Sequence, residues 1–260
     1  MNKQQLHIIK IGGNIINNTN TLTSFLKDFS ELDGYKILVH GGGKKATELA
    51  NSIGLESKMV NGRRVTDKAN LEVVTMVYAG LLNKNITAEL QQYNCNALGL
   101  SGADANCILT HKRIVKDVDF GFAGDIDAVN SNNIDVFLQN NMTPVFCAIT
   151  HDKNGQLLNT NADTIASEIA IGMSSKYNVS LIYTFEKNGV LRNVNDDNSV
   201  IENINSTSYE ALKKKGIIAD GMLPKMHNCF NALQKGVDKV IISSPTILKN
   251  NKQPHTTLVL

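Results

Sequence analysis

Two apolar runs that each end in a glycine turn constrain this chain more than any other feature. Leu6-His7-Ile8-Ile9-Lys10-Ile11 runs into Gly12-Gly13, and Ile37-Leu38-Val39-His40 runs into Gly41-Gly42-Gly43 one αβ unit later. Near-continuous apolar runs of this length are what buried parallel strands require. Glycines at strand ends let backbone N–H groups approach an anion closely. A helix that starts at the turn adds dipole favourable to negative charge. The pair of turns therefore predicts a phosphate-handling centre at the strand ends of a parallel sheet, with most of the chain as its support.

Periodicity fills in the support. Leu22, Phe25, Leu26 and Phe29 recur at helical spacing, predicting a helix over 21–32, and the stretch after the triple glycine predicts another over 44–53. A long helix is expected over 67–90, with Leu71, Val74, Tyr78 and Leu81 on one face and Val73, Val77 and Leu82 on a second, exposed apolar face. Residues 95–100 read as a strand. From 106 to 124 the pattern changes to short β-like pieces, 107–109 and 113–115, which fit an antiparallel excursion. Further strands are expected at 144–149, 179–185 and 237–242, a polar loop at 150–160, and helices at 131–140, 162–173, 206–215 and 222–235. The alternation predicts an α/β fold, a mainly parallel open sheet covered on both faces. Residues 1–175 and 176–260 are expected to form two lobes that share one sheet.

At 260 residues, 42% hydrophobic and 19% charged, the chain has the makeup of a soluble globular protein. A net charge of +2 offers no field for nucleic acid or an anionic membrane, so neither partner is expected. Cys95, Cys107, Cys147 and Cys229 form no CxxC pair, which predicts buried free thiols in a reducing cytoplasm and no metal site of their own.

Phosphate chemistry has common signatures that are missing here. There is no P-loop motif and no protein-kinase H-R-D or D-F-G set. Gly41-x-Gly43-x-x-Ala46 satisfies a loose dinucleotide fingerprint but lacks the acidic residue expected about 20 positions on. Three charged residues stand out instead. Lys10 sits at a strand end against two glycines, placed to meet a transferring phosphoryl group as a point charge. Asp163 falls inside the first turn of a helix, where the cap role of Asn159-Thr160-Asn161 does not explain it. Lys225 lies in the first turn of another helix, which its charge disfavours by up to about 1 kcal/mol.

Six motifs occur in order: Lys10-Ile-Gly-Gly, His40-Gly-Gly-Gly, Asn61-Gly-x-Arg64-Val-Thr, Gly99-Leu-Ser-Gly102, Asn159-x-Asn-Ala-Asp163 and Gly216-Ile-Ile-Ala-Asp-Gly-Met-x-x-Lys225. Together they resemble the amino acid kinase family, in its N-acetylglutamate kinase branch, over residues 6 to about 242. The resemblance implies a three-layer αβα sandwich whose first lobe binds an acylated amino acid and whose second binds ATP. It implies transfer of the γ-phosphoryl group of ATP to the side-chain carboxylate of N-acetyl-L-glutamate, a step of arginine biosynthesis. Carried over residue by residue, Lys10 and Lys225 would stabilise the transition state and Asp163 would hold them. Gly42 and Gly43 would contact the amino acid by backbone, Arg64 its α-carboxylate and Asn159 its acyl-amino portion. Gly12 and Gly13 would face the phosphates, with Thr184 and Glu186 on the nucleotide side. Mg2+ would be held by the nucleotide phosphates rather than by a protein cage. A homodimer is expected, with the helix over 67–90 as its interface. No arginine feedback is expected, because the chain begins directly at its first strand.

The match departs in one place. Family members commonly carry a Ser/Thr-Asp pair after the strand that precedes the nucleotide loop, whereas here Thr184 is followed by Phe185. The rival expectations are an N-succinyl-L-glutamate kinase, a non-catalytic sensor of the same fold, and a dinucleotide-dependent oxidoreductase, for which no nicotinamide-site residues stand out.

Overall fold

A computed structural model describes residues 3–60, 62–219, 222–250 and 252–260. Asn61 of the Asn61-Gly62 turn, and Asp220 and Gly221 of the break before the last helix, lie outside the described residues. Both glycine turns follow strands as expected: β1 (Gln5–Ile11) and β2 (Tyr35–His40). A short helix α1 (Gly13–Ile16) opens at the first turn, followed by α2 (Thr19–Ser30), and α3 (Gly43–Ser52) opens at the second. The α2 helix starts earlier than its apolar spacing indicates, because the Asn18 side chain accepts from the Thr21 N–H at 3.0 Å and so caps the helix.

After a small ribbon of β3 (Met59–Val60) and β4 (Arg63–Arg64) comes one continuous helical rod. It consists of α4 (Lys68–Thr75), a π-helical turn over Met76–Leu82 and α5 (Asn83–Gln92). The remaining elements are β5 (Ala97–Leu100), β6 (Ile108–Lys112), β7 (Gly124–Val129), α6 (Ser131–Gln139), β8 (Thr143–Cys147), β9 (Ile149–His151), β10 (Leu157–Asn159) and α7 (Ala162–Met173). They continue with β11 (Asn178–Thr184), β12 (Asn203–Ile204), α8 (Ser206–Lys214), α9 (Met222–Gln234), β13 (Lys239–Ser243) and β14 (Thr256–Leu258).

The central sheet has the order β12-β14-β13-β11-β1-β2-β8-β5, and every neighbouring pair is parallel except β13 with β14. The two halves of the chain share it, since β1 pairs with β11 along its whole length. Its period of two feeds two cores. Leu6 and Ile8 of β1 pack with Ile165, Ala166 and Ile169 of α7 on one face. Ile9 and Ile11 pack with Phe25 and Phe29 of α2 and with Ile86 and Leu90 of α5 on the other. All four β1 side chains are fully buried, each contributing roughly 1.5–3 kcal/mol of hydrophobic free energy. Helices therefore cover both faces, giving three αβα layers.

Four expectations need correction. The antiparallel excursion is present, but it pairs β6 with β7, and no strand spans 113–115, where Ile114 and Val115 are exposed. The run 144–149 divides between β8 of the central sheet and β9 of a second, four-stranded sheet of order β10-β9-β6-β7. The polar stretch 150–160 is mostly a β9–β10 hairpin. Its turn is closed by Asp152 Oδ1, which accepts from the N–H groups of Asn154 and Gln156 at 2.8 and 2.9 Å. Finally, Val73 and Val77 are buried within the protomer, and Leu82 packs between both cores. The π turn carries one extra residue per turn, which rotates the rod from the first core to the second, so both apolar stripes are used internally. The large apolar side chains left exposed on the rod are Met76 and Leu81.

The four cysteines are buried free thiols. Among the described residues no helix is long and apolar enough to cross a membrane.

Candidate active site

The parity of β1 decides what Lys10 meets. Counting by two from Leu6 and Ile8, Lys10 falls on the α7 face at the strand's carboxyl end. There the first turn of α7 begins, capped by the Asn161 side chain, which accepts from the Thr164 N–H at 3.1 Å. Asp163 projects from that turn, and its backbone carbonyl accepts from the Tyr183 hydroxyl of β11 at 3.0 Å. The first turn of α9 delivers Lys225 from the other side. Lys10 Nζ lies 2.7 Å from Asp163 Oδ1, and Lys225 Nζ lies 3.3 Å from Asp163 Oδ2. Their side chains are 12%, 19% and 14% exposed for Lys10, Asp163 and Lys225, so each cation keeps one small window onto solvent.

Burial pushes the Asp163 carboxyl up, but Lys10 and Lys225 outweigh it and hold the group below its ordinary range. Lys225 is pushed down by burial and by Lys10, against the opposing pull of Asp163. One carboxylate thus carries two ammonium groups, leaving a net positive charge directed outward.

The two glycine turns flank this triad. Gly12 N–H donates to the Thr184 carbonyl at 3.1 Å, and the Thr184 hydroxyl donates to the Lys10 carbonyl at 3.1 Å. Thr184 is fully buried, so it braces the first turn from beneath, whereas Gly12, Gly13 and Glu186 line the open cavity above it with Lys10 and Lys225. Gly42 caps α3 at φ 156°, and an added Cβ there would lie 2.4 Å from Leu82 Cδ1 and 2.9 Å from Tyr78 Cδ1. The helical rod, through its π turn, therefore presses on the second glycine turn so closely that only glycine fits. Gly42→Ala is expected to displace the turn and lower the thermal midpoint, read by calorimetry.

His40 holds the same turn from below. The Asn83 amide donates to its Nε2 at 3.1 Å, which leaves the ring proton on Nδ1, donating to the Gly41 carbonyl at 2.8 Å. Burial lowers the His40 pKa to about 4. The unfolded chain then binds a proton near pH 6.5 that the native state refuses, so stability falls as pH drops from about 6.5 towards 4. Urea denaturation at pH 7 and pH 5 should show this loss, and His40→Gln should flatten its slope.

The cavity beside Gly41–Gly43 is lined by Arg64, Asn159 and Tyr78. Arg64 is buried. Its guanidinium donates to the Gly43 carbonyl at 2.9 Å, to Thr47 Oγ1 at 2.7 Å and to Ser57 Oγ at 2.5 Å. This fixes its planar fork against the turn. Asn159 donates through Nδ2 to Thr66 Oγ1 at 3.0 Å. The structure thus brings Lys10, Asp163 and Lys225 into contact and sets Gly42, Gly43, Arg64 and Asn159 around one cavity and Gly12, Gly13 and Glu186 around the other.

Further residues around the two turns were not foreseen. Arg113 and Phe120 enter the cavity beside Gly41–Gly43 from the β6–β7 connection, and Arg113 is paired with Asp125 through Nε at 3.1 Å to each carboxylate oxygen. Lys44, in the first turn of α3, donates to the Asn14 side chain and bridges the two glycine turns. Its charge at a helix N-terminus is the same misfit that marked Lys225, and was the one available clue.

The model of the amino acid kinase family matches residues 5–244. The acetylglutamate kinase of Cytophaga hutchinsonii is 52% identical, over 98% of this chain and 99% of its own. That of Phocaeicola vulgatus is also 52% identical, over 93% and 94% of the two chains. Among solved structures, the protein smu.665 of Streptococcus mutans UA159 superposes with a TM-score of 0.79 at 25% identity, covering 98% of each chain.

Proposed function

This chain belongs to the amino acid kinase family, and from that premise we propose that it transfers the γ-phosphoryl group of ATP to the side-chain carboxylate of N-acetyl-L-glutamate. The observation that carries the reading is the Lys10–Asp163–Lys225 cluster standing between two glycine-turn cavities. A carboxylate acceptor is already ionised near neutral pH, so it needs no general base. The task is to bring that anion to a triphosphate, and cations and backbone N–H groups do this directly. Arg64 binds the α-carboxylate, Gly42 and Gly43 receive the acceptor through their backbone, and Asn159 takes the acyl-amino group. Gly12 and Gly13 approach the phosphates, and Lys10 and Lys225 meet the charge that spreads over the transferring oxygens. The residues fit a Mg2+ ion carried by the nucleotide: Asp163 is engaged by two lysines, and Glu186 is the carboxylate on that cavity's wall. Mg2+ when bound neutralises phosphate charge. Residues 1–175 then carry the acceptor and 176–260 the nucleotide.

One observation favours a second reading, in which the acyl group itself ends in a carboxylate, as in N-succinyl-L-glutamate. Arg63 lines the acceptor cavity near Arg113 and, among the described residues, forms no salt bridge, since the nearby Asp125 is paired with Arg113. ATP-dependent acyl-phosphate formation, trapped with hydroxylamine on both compounds side by side, decides between them. Turnover of the acetyl compound at least as fast as the succinyl one supports the main reading. A succinyl preference replaces the acceptor and keeps the mechanism. No product from either, with nucleotide bound, overturns both.

We also infer a cytoplasmic homodimer assembled through the acceptor-binding half. Light scattering on the purified protein tests the assembly, and a single-chain mass at micromolar concentration would discard it.

A further inference from the structure

We propose that Phe185 is a positioning residue for Lys225: its ring face and the Asp163 carboxylate hold the Lys225 ammonium between them at the point of phosphoryl transfer. Lys225 Nζ lies 3.9 Å from the centroid of the Phe185 ring, well within the range where a cation is attracted to a ring face, and 5.8 Å from that of Tyr183. The Asp163 contact at 3.3 Å closes the other side. Phe185 is itself fixed, because its N–H donates to the Ser243 carbonyl of β13 at 2.9 Å, and its side chain packs on the core.

The chemistry explains what an aromatic ring does beside this ammonium. Lys225 must be held firmly and must stay charged towards an incoming triphosphate. A second carboxylate would hold it but would also face the phosphates and repel them. A ring attracts the ammonium through its quadrupole while adding no net negative charge to the cavity. The other groups facing Lys225 are Lys10 from β1, which repels it, Tyr183 from β11, and the buried Cys229 one turn along α9. Glu186 and Lys187 line the cavity further out, and Lys187 is paired with Asp197 at 2.6 Å. The ring is thus a main support of the ammonium apart from Asp163.

The proposal rests on the kinase reading for its role and on Lys225 titration for its test. Phe185→Leu keeps an apolar side chain and removes the ring, and Phe185→Tyr keeps the ring. In the leucine variant kcat should fall about threefold to thirtyfold, the range a cation–π contact supports. The ring favours the protonated amine, so its loss should also move the alkaline limb of the pH–kcat profile to lower pH. The tyrosine variant should restore both. The same titration can be followed without substrate, in the 13C-methylated lysine spectrum with Lys225→Ala identifying the resonance. It should move downward in the leucine variant whatever the acceptor proves to be, so failure of the acceptor assignment and failure of this proposal are separable. An unmoved Lys225 titration in the leucine variant overturns the proposal. So does a leucine variant whose only defect is a raised KM for ATP, which would make the ring an adenine contact.

Discussion

Lys225→Ala is expected to lower kcat by about 10²–10³, the cost typical of removing one preorganised charge from a transition state. Lys225 approaches from the first turn of α9 and is held by Asp163 and by the Phe185 ring, so its ammonium is fixed before substrate arrives. Preorganisation of this kind separates a catalytic cation from a surface lysine, whose removal costs little. Lys225→Arg should not rescue the rate, because a planar fork does not fill the position of a compact ammonium between a ring and a carboxylate. The wild-type profile carries a second mark of the same residue. Burial lowers the Lys225 pKa below its ordinary value of 10.5, so activity should decline on the alkaline side earlier than a free lysine would dictate. Steady-state rates from pH 7 to 10.5 read this limb. A Lys225→Ala variant within tenfold of the unsubstituted enzyme would remove Lys225 from the chemistry.

The second large effect is expected at Asp163. Asp163→Asn keeps the shape and removes the charge that two ammonium groups share. Lys10 and Lys225 would then face each other in a poorly hydrated site with no counterion. Breaking a buried pair by removing one partner costs about 3–5 kcal/mol, and the small exposure of both lysines argues for the lower end. The rate should fall at least as far as for either lysine alone, because both cations move. The pH dependence follows from the depressed native pKa of Asp163. Its contribution to stability is present above the unfolded value near 3.8 and is lost as pH falls through the lower native value. Denaturant midpoints of the asparagine variant and the unsubstituted protein should therefore differ at pH 7 and converge only as pH falls below 3.8 towards the lower native value. A variant as stable as the unsubstituted protein at pH 7 would show that the pair contributes nothing net. The double variant Asp163→Asn/Lys225→Ala should lose less than the sum of the two single effects, as expected for groups in contact.

How legible was this in the sequence? The two glycine turns announced a parallel sheet; Lys10 stood out by its place at a strand end against two glycines, Asp163 by a first-turn position that the cap does not explain, and Lys225 by a charge that its helix N-terminus disfavours. Those signals are short-range: a cap, a dipole, a strand end, a period of two or of 3.6. They survive folding because the backbone hydrogen bonds that create them are made within a few residues. The helix α7 and the apolar strand β11 were placed to within a residue for the same reason.

Where sequence reasoning failed, the deciding contact was distant in the chain. Val73 and Val77 looked like a spare apolar face, but an amphipathic stripe does not say which surface covers it, and here the protomer's own core does. Residues 144–149 read as one strand, yet the chain changes sheets between Cys147 and Ile149. Thr184 was expected on the nucleotide side, and the bond its hydroxyl makes to the Lys10 carbonyl, 174 residues away in the chain, was not foreseen. By itself, then, the sequence determined the layered α/β architecture, the two glycine turns and the three charged residues, because each follows from local backbone chemistry. Only the tertiary structure decided the geometry in which the expected carboxylate reaches both lysines, that Phe185 lies under Lys225 and that the helical rod presses on Gly42. Those contacts depend on the order of strands in the sheet, which long-range packing selects.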